Sequence, residues 1–487
     1  MRRDRFSRRV FLKRGAAVAA SLASAGAIPQ LLRASSGPRV VIVGAGLAGL
    51  TAAYRLRNTH GIQADIYEAR TRLGGRVLTQ RGLPGDQWFE SGPMFISSSD
   101  RFIRGLAHEL DVSLVDILAN APEQPAIVYH FNGSNYSAAD LAPSLERAAR
   151  NAEMQFSQLM QHAPHKHKHY WDSKSVAEWI DSYCPGGLTS APGALLKNYF
   201  ESEYSAPAEL ASALMIIFDF TIFNDFDERY IIDGGTDSIV SALASRLAPG
   251  TVATGMALRT LKPGDESVIC SFTDGITTSE VSADFVILAL PFSTLRDVDY
   301  SSMGFDSTTI RAIQTKGMGV GSKLNLQFDY PPWDPLSEGQ SYSDLPPQGT
   351  FAGQIGLPGP NGIMVELTTF DFGNAPAHGP APATLVSQHL AYLDQLFPGT
   401  SAKFNGQAYL DHWPADPWVK GSYSYYQVGQ FTTLARIEKQ AQGRVHFAGE
   451  HTAPYHNQAT MNGAVESGMR AANEVARAVG KFPLWSV

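Results

Sequence analysis

Cysteine is nearly absent from the 487-residue chain, which contains only Cys184 and Cys270. Neither belongs to a Cys-x-x-Cys pair or to a Cys/His spacing of the kind that binds zinc, which argues against a zinc site. One disulfide between them would suit an oxidising compartment, and two separate buried thiols are equally compatible with the sequence. Both alternatives stay open at this level.

Positive charge and long apolar segments are scarce as well. The 46 acidic residues outnumber the 39 lysines and arginines, so the net charge is −7 and no basic footprint marks a nucleic-acid partner. Beyond the N-terminus no segment has about 18 uninterrupted apolar residues, so no membrane span is predicted for the mature chain. A composition of 44% hydrophobic and 17% charged residues is typical of a globular protein.

The N-terminus has the pattern of an export signal. Residues 1–14 carry six arginines and one lysine, and residues 15–32 are mostly alanine, leucine and small residues. Residues 7–13, Ser-Arg-Arg-Val-Phe-Leu-Lys, resemble the twin-arginine signal. The alternative, a basic arm ahead of a membrane anchor, is disfavoured because the apolar stretch is short and contains Pro29. We therefore predict a signal peptide over 1–36, the twin-arginine export machinery as a partner, and a periplasmic or secreted protein.

A dinucleotide-binding fingerprint opens the remaining chain. The apolar run 40–43 ends in Gly44-x-Gly46-x-x-Gly49, and a helical pattern follows. In such a motif the first glycine permits the turn, the second lets backbone approach a pyrophosphate, and the third lets the helix pack on the strand. Glu68 ends the next short strand, 19 residues beyond Gly49, where a carboxylate binds an unphosphorylated ribose. The pattern favours FAD or NAD over NADP.

Periodicity predicts the other elements. Helices are expected over 100–110, 138–161, 175–183, 191–220 with a break near Pro207, 236–247, 383–397 and 462–479. Strands are expected over 230–232, 268–272, 285–290, 321–328, 363–370 and 444–447, with a hairpin over 127–136. Residues 162–169 hold four histidines interleaved with Lys166 and Lys168. Because this spacing fits no defined metal site and the lysines would repel a cation, a solvated loop is predicted there.

Several ordered motifs together resemble the flavin-containing amine oxidases, the family of monoamine, polyamine and L-amino acid oxidases. They are the fingerprint, the segment Glu68-x-Arg70…Gly74-Gly75-Arg76, the strand end Ala289-Leu290-Pro291, the segment Trp413…Asp416-Pro417…Gly421-Ser422-Tyr423, Phe447-Ala448-Gly449-Glu450, and Asn462-Gly463-Ala464-Val465-Glu466-Ser467-Gly468. The resemblance covers nearly the whole chain after the signal, from 40 to 479.

The resemblance implies an α/β fold with a discontinuous Rossmann-like FAD-binding domain and an inserted α+β substrate domain. The segments 38–97, 225–297 and 417–480 are expected to form the first, and 98–224 and 298–416 the second. The implied cofactor-binding residues are Gly44, Gly46, Gly49, Glu68, Arg70, Gly75, Arg76, Leu258, Gly449, Glu450 and Met461. Some relatives attach FAD through a cysteine where this chain has Ser422. Non-covalent FAD is therefore expected.

The resemblance also assigns a catalytic role to Lys323, beside flavin N5, and to Tyr423, one of two aromatic rings that usually hold the amine. The second ring aligns near Thr460, which is not aromatic. Phe95 stands where L-amino acid oxidases usually carry an arginine that binds the substrate carboxylate. Phe95, Tyr423 and Thr460 are the predicted substrate-pocket residues. These departures leave a primary amine and an L-amino acid both open as substrate.

The implied reaction is oxidative deamination, in which the amine becomes an imine and O₂ becomes hydrogen peroxide. One alternative is an FAD-dependent dehydrogenase or desaturase of a non-amine substrate. The other is an FAD-binding protein without catalytic activity. A homodimer stays open, because nothing in the sequence determines the oligomeric state.

Overall fold

A computed structural model describes residues 37–119, 126–161, 164–222, 227–333, 337–353, 355, 359–369 and 376–481. The predicted signal peptide lies outside these residues. None of the described helices combines the length and the apolar character that a membrane crossing requires. Cys184 and Cys270 are both buried free thiols, so the structure decides against a disulfide between them.

A parallel five-stranded sheet forms the nucleotide-binding half of the fold. Strand β1 (Val40–Val43) lies at its centre, with β2 (Ala64–Glu68) on one side and β13 (Phe285–Leu288) on the other. Strands β9 (Val252–Thr254) and β22 (Val445–Phe447) complete the order β22-β13-β1-β2-β9. Buried aliphatic residues fill β1 and β13, as expected for a sheet covered on both faces.

The other elements have the following bounds. The helices are α1 Leu47–His60, α2 Arg101–Glu109, α3 Ala138–Gln161, α4 Pro164–Asp172, α5 Val176–Tyr183, α6 Ala191–Tyr204, α7 Ala213–Ile222, α8 Asp237–Ser245, α9 Phe292–Leu295, α10 Ser307–Thr315, α11 Ala383–Leu396, α12 Phe431–Leu434 and α13 Met461–Ala478. The strands are β3 Thr79–Leu83, β4 Gln87–Glu90, β5 Leu114–Asp116, β6 Val128–Phe131, β7 Ser134–Tyr136, β8 Tyr230–Ile232, β10 Ala257–Gly264, β11 Ser267–Thr273, β12 Thr278–Ala283, β14 Gly317–Met318, β15 Ser322–Phe328, β16 Ser341–Ser343, β17 Gly349–Ala352, β18 Gly362–Thr368, β19 His378–Pro380, β20 Phe404–His412 and β21 Ser424–Tyr425.

The second large sheet has eight strands, in the order β19-β20-β15-β18-β17-β16-β6-β7. It is antiparallel except for the parallel pair β16 and β6. Helix α11 supplies Leu393 and Leu396 to the core on one face, together with Leu324 and Phe328 of β15. Both large sheets belong to one unit, Ser35–Val487.

The predicted α/β fold with a parallel sheet is confirmed, and the long periodic elements lie where the sequence places them. The five parallel strands come from three separated stretches of chain, and the eight-stranded sheet comes from the stretches between them. The domain boundaries given above stay a prediction. The end of the expected strand 363–370 falls partly outside the described residues.

One structural prediction is wrong. The histidine-rich segment is not a loop from residue 164 onward, because α4 covers Pro164–Asp172 and His165 and His169 are exposed on it. Histidine and lysine cost a helix only a few tenths of a kcal/mol each, and proline suits a first helical position. Among the described residues no cluster of histidine, cysteine and carboxylate side chains could hold a metal.

Two glycines allow close packing around α1: Gly49 lets α1 pack on the turn that precedes it, and Gly468 lets α13 pack on α1. A Cβ on Gly49 would lie 2.0 Å from the carbonyl oxygen of Gly44, and one on Gly468 would lie 2.3 Å from that of Ala48. The crossing places the N-termini of both helices at the same edge of the parallel sheet.

We predict that Gly49→Ala lowers the free energy of unfolding by about 3 kcal/mol, because the new methyl group would overlap backbone that has no room to move. Gly105→Ala is the matched control, since a Cβ there meets nothing within 4 Å and Gly105 also lies inside a helix. The control should be neutral or stabilising by up to about 1 kcal/mol. Thermal unfolding measures both variants, and equal melting temperatures would contradict the packing argument.

Candidate active site

A cavity of about 740 Å³ lies between the parallel sheet and the eight-stranded sheet. Val43, Glu68, Ala289 and Gly449, at or just beyond the carboxyl ends of four parallel strands, line one side. This edge is where open α/β sheets bind ligands. Of the predicted site residues, Gly44, Gly46, Glu68, Arg70, Gly75, Arg76, Leu258, Lys323, Tyr423, Phe95, Thr460, Gly449, Glu450 and Met461 all line this cavity. Gly49 does not line it and acts through packing, as described above.

The fingerprint presents a helix N-terminus to the cavity. Gly46 is the N-cap of α1 and no side chain caps the helix, so its first N–H groups have no intrahelical acceptor. A Cβ on Gly46 would meet nothing within 4 Å, which shows that open space borders this backbone. Free N–H donors beside open space at a helix N-terminus suit an anion such as a pyrophosphate.

Glu68 and Arg70 form the wall beside the fingerprint. One Glu68 oxygen accepts a hydrogen bond from the Ala45 N–H at 2.7 Å, and the other accepts from the Arg70 N–H at 2.9 Å. The Arg70 guanidinium pairs with the buried carboxylate of Asp416, which His378 also contacts. Burial alone would raise the pKa of Asp416, but the hydrogen bonds from His378 and Arg70 outweigh burial and hold it well below its ordinary value.

A partly buried ion pair joins the glycine-rich segment to the C-terminal part of the chain. Arg76 Nη1 lies 2.9 Å from Glu450 Oε1 and donates a second hydrogen bond to the Ser422 carbonyl at 2.6 Å. Glu450 Oε2 accepts from the Ser424 hydroxyl and from the Ala459 N–H, both at 2.8 Å. Burial opposes ionisation of Glu450, but Arg76 lowers its pKa to about 2.

The turn that begins α13 is held on both sides. Ala459 has a φ of +66°, a left-handed conformation that alanine rarely adopts. The preceding Gln458 side chain accepts from Lys316 Nζ at 3.3 Å and donates to Glu438 at 3.0 Å, and Lys316 and Glu438 form a fully buried pair. Thr460 caps the helix by accepting from the Gly463 N–H at 3.0 Å. Its hydroxyl is thus engaged in capping, while Met461 opens the helix at the cavity wall.

Lys323 projects from β15 into the interior between the sheets. Its ammonium donates to the carbonyls of Glu90, at 3.2 Å, and Gly92. Burial lowers the pKa of Lys323, and the nearby charge of Glu90 partly opposes the shift. Burial also raises the pKa of Glu90 to about 7. Hydrogen bonds donated by the Thr236 N–H and the Thr79 hydroxyl oppose this rise, because they favour the ionised carboxylate.

Aromatic side chains surround the cavity near Lys323. Tyr423 is enclosed and its hydroxyl accepts a hydrogen bond from the Ser205 hydroxyl at 2.9 Å. The Phe95 ring packs on Phe351 with 5.2 Å between ring centroids, and Lys323 Nζ lies 5.9 Å from the Phe351 ring. The predicted residues Phe95 and Tyr423 therefore lie on the same cavity wall region as Lys323.

A family model described as flavin containing amine oxidoreductase matches residues 47–476. The chain belongs to this family. It is 26% identical over 468 residues to the L-amino-acid oxidase of Siganus canaliculatus, covering 90% of this chain and 85% of that protein. The fold is similar to putrescine oxidase bound to putrescine, with a TM-score of 0.76 and 19% identity over 90% of this chain and 99% of the other. It is equally similar to cyclohexylamine oxidase from Brevibacterium oxydans, with a TM-score of 0.76 and 17% identity over 91% and 99%.

Several carboxyl groups without a sequence motif also line the cavity, and Glu203, Asp219 and Glu228 are among them. Glu203 lies in the last turn of α6, Glu228 precedes β8, and Asp219 lies on α7. Tyr199, Tyr342 and Tyr455 share their surroundings, and burial raises the pKa of Tyr342 with the charges of Glu203 and Glu228 adding to the rise. No motif surrounds these acids in the sequence, so only their positions in the fold connect them with Lys323.

We predict that Glu450→Gln lowers the free energy of unfolding by about 3 kcal/mol at neutral pH, because Arg76 would lose its buried counter-charge. The pKa of Glu450 is lowered from 4.5 to about 2, so its stabilisation is present above pH 4.5 and lost as the pH falls toward 2. The free energy of unfolding of the variant should therefore lie below that of the wild type by a constant amount between pH 7 and about pH 5. Below about pH 5 this difference should shrink.

The matched control is Glu146→Gln, which breaks an exposed pair with Arg150 and should cost less than about 1 kcal/mol. Thermal unfolding at several pH values measures both variants. A difference that grows on acidification, or equal effects of the two substitutions, would contradict the assignment.

Proposed function

We propose that this protein is an exported, FAD-dependent oxidase of an amine that carries no carboxylate next to the reacting carbon. The amine would lose two electrons and become an imine, O₂ would become hydrogen peroxide, and water would hydrolyse the imine to an aldehyde and ammonia. The observation that carries the proposal is the continuous cavity, which joins the fingerprint edge to Lys323 and Tyr423. Bound FAD would supply the two-electron acceptor chemistry.

The residues present fit this cofactor. The open space at Gly46 and the uncapped N-terminus of α1 suit a pyrophosphate, and Glu68 lies at the strand end where a ribose is held. Arg76 and the start of α13 at Met461 are placed to hold the flavin end, where a helix N-terminus favours negative charge. Ser422 lies within the same wall and offers no thiol, which supports non-covalent binding.

The choice of a plain amine depends on the charges near Lys323. Among the described residues of the cavity wall, arginine occurs at 70, 76 and 259. Arg70 and Arg76 are paired with Asp416 and Glu450. Phe95, which also lines the cavity, offers a substrate carboxylate no positive charge. A substrate carboxylate would therefore lack, at this position, the free arginine that could bind it bidentately.

The relatives' names support both amine classes, since the curated relative is an L-amino-acid oxidase and the solved structures are amine oxidases. The electrostatics of this chain favour the second class. Lys323 would orient a water or the reacting oxygen through its ammonium, and Tyr423 and Phe95 would confine the amine.

Export rests on the N-terminal pattern and is tested by replacing Arg8 and Arg9 with lysine and following the protein between cell fractions.

We predict that purified protein releases peroxide with amines and that each amine exceeds its parent amino acid in kcat/KM by about tenfold or more. Phenylethylamine against L-phenylalanine is a suitable pair, because the two differ only in the carboxylate. A coupled peroxide assay measures both. Faster oxidation of the amino acid would overturn the substrate class. The absence of both peroxide and flavin bleaching with every amine would overturn the oxidase itself, and bleaching without peroxide would indicate a dehydrogenase.

We predict that Lys323→Met slows flavin reoxidation by O₂ on the order of 100-fold while FAD binding is retained, because it removes a fixed positive charge where negative charge develops. Lys174→Met is the control, since Lys174 is an exposed lysine paired only with Glu178 on the described surface. Stopped-flow absorbance measures flavin reduction and flavin reoxidation separately. The melting temperature shows how far the loss of the hydrogen bonds to Glu90 and Gly92 destabilises the fold. Unchanged oxygen kinetics would remove Lys323 from this role.

A further inference from the structure

Ser205 ends α6 in a backbone conformation that serine rarely adopts. Its φ of +49° and ψ of +29° lie in the left-handed region, where helices commonly end on glycine because glycine has no Cβ to strain. Ser205 is only 4% exposed, so its hydroxyl is not directed at solvent. A glycine would make the same turn with less strain, and what the serine adds is a hydroxyl group.

The Ser205 hydroxyl is directed at Tyr423. Its Oγ donates a hydrogen bond to the Tyr423 hydroxyl at 2.9 Å, and both side chains line the cavity. The Tyr423 hydroxyl also lies 3.5 Å from the Ser202 carbonyl oxygen, at the outer limit of a hydrogen bond. Among the described residues, Ser205 is therefore the side chain that bonds to this hydroxyl, and it provides the shorter of the two contacts.

The backbone that leads into β15 restricts the movement of Ser205. The Val320 N–H donates to the Ser205 carbonyl at 2.7 Å. A Cβ on Gly321 would lie 2.0 Å from Ser205 Oγ, so the hydroxyl occupies the space that a side chain at 321 would need. The Gly319 N–H donates to the Tyr423 carbonyl at 2.7 Å and connects the same stretch of backbone to the tyrosine. Ser205 thus lies between this backbone and the tyrosine hydroxyl.

We propose that Ser205 is a positioning residue, which holds the Tyr423 ring in the orientation that confines the reacting amine. This inference rests on the proposed amine oxidase function. A tyrosine side chain turns about two bonds, and its hydroxyl lies at the end farthest from the backbone, so a fixed donor there restricts both rotations. A displacement of about 1 Å at a positioning group can cost on the order of 100-fold in rate. Ser205 acts through Tyr423 and takes no part in the electron transfer.

Ser205→Ala and Ser205→Gly separate the role of the hydroxyl from that of the backbone in the FAD-loaded enzyme. Both remove the hydroxyl, so both should slow anaerobic flavin reduction by the amine about 3- to 10-fold, the range that one neutral hydrogen bond supports. Flavin reoxidation by O₂ should keep its wild-type rate, because the Lys323 ammonium is held by other carbonyls. Ser205→Gly should melt above Ser205→Ala, since glycine relieves the left-handed strain.

Stopped-flow absorbance and thermal unfolding measure these rates and melting temperatures. Wild-type flavin reduction in Ser205→Gly, with slow reduction only in Ser205→Ala, would show that residue 205 serves the turn alone and would overturn the inference. Ser182→Ala is the matched control and should keep wild-type rates. The Ser182 hydroxyl also bonds to backbone, at the Glu178 carbonyl, but Ser182 is exposed and lies outside the cavity.

A double-mutant cycle with Tyr423→Phe tests the contact itself. Tyr423→Phe keeps the ring and removes the hydroxyl, so it should slow flavin reduction by a similar factor. Ser205→Ala should then add no further loss in the Tyr423→Phe protein, because its partner is already absent. Losses that multiply would show that the two hydroxyl groups act independently, which would overturn the inference.

The melting temperature provides a readout that does not depend on turnover. The double variant should lose less in melting temperature than the sum of the two single variants, since each single variant leaves one buried hydroxyl without its partner. Additive losses would contradict a bond between Ser205 and Tyr423. No flavin reduction by any amine in the wild-type protein would overturn the proposed function, and the melting-temperature cycle distinguishes that outcome from the absence of the contact.

Discussion

The partly buried ion pair between Arg76 and Glu450 connects separated parts of the chain that line the site. Arg76 follows the first βαβ unit, and Glu450 follows the last parallel strand. Through Glu450 the pair also holds Ser424 and the strained turn at Ala459, directly before α13. Because Glu450 is buried and Arg76 is partly buried, removal of either leaves an unpaired charge. The juxtaposition of the two helix N-termini at the sheet edge depends on this contact and on the close glycine crossing beneath it.

The cavity wall carries different groups in different regions. At the edge of the parallel sheet, the free backbone N–H groups at the start of α1 suit phosphates. Tyr423 and Lys323 also line the cavity, and the Lys323 ammonium donates to two carbonyls. One cavity thus brings the fingerprint edge and these two side chains into a common site.

Family membership and the proposed choice of substrate rest on different residues. The glycines, Glu68 and the C-terminal helix start lie in the part of the site that we propose binds the cofactor, and the chain is similar to relatives named for L-amino acids and for amines. Phe95, Glu203 and Glu228 lie elsewhere on the wall and come from α6 and from loops. Because loops and helix faces vary without disturbing the sheets, substrate choice can change while the cofactor half stays constant.

The sequence by itself determined the strand–turn–helix unit at the centre of the parallel sheet. Spacing along one strand–turn–helix unit is local, so the pattern of residues alone assigns Gly44, Gly46, Gly49 and Glu68, and periodicity predicts a long segment such as α3 to the residue. Periodicity does not predict the histidine-rich α4, because its polar composition lacks an apolar stripe even though its residues are compatible with a helix. Only the tertiary structure placed Glu203, Glu228 and Lys323 on the wall of one cavity. These three residues lie far apart along the chain and share no sequence motif. Because the site is assembled from separate elements that meet only in the folded protein, no local pattern in the sequence predicts it.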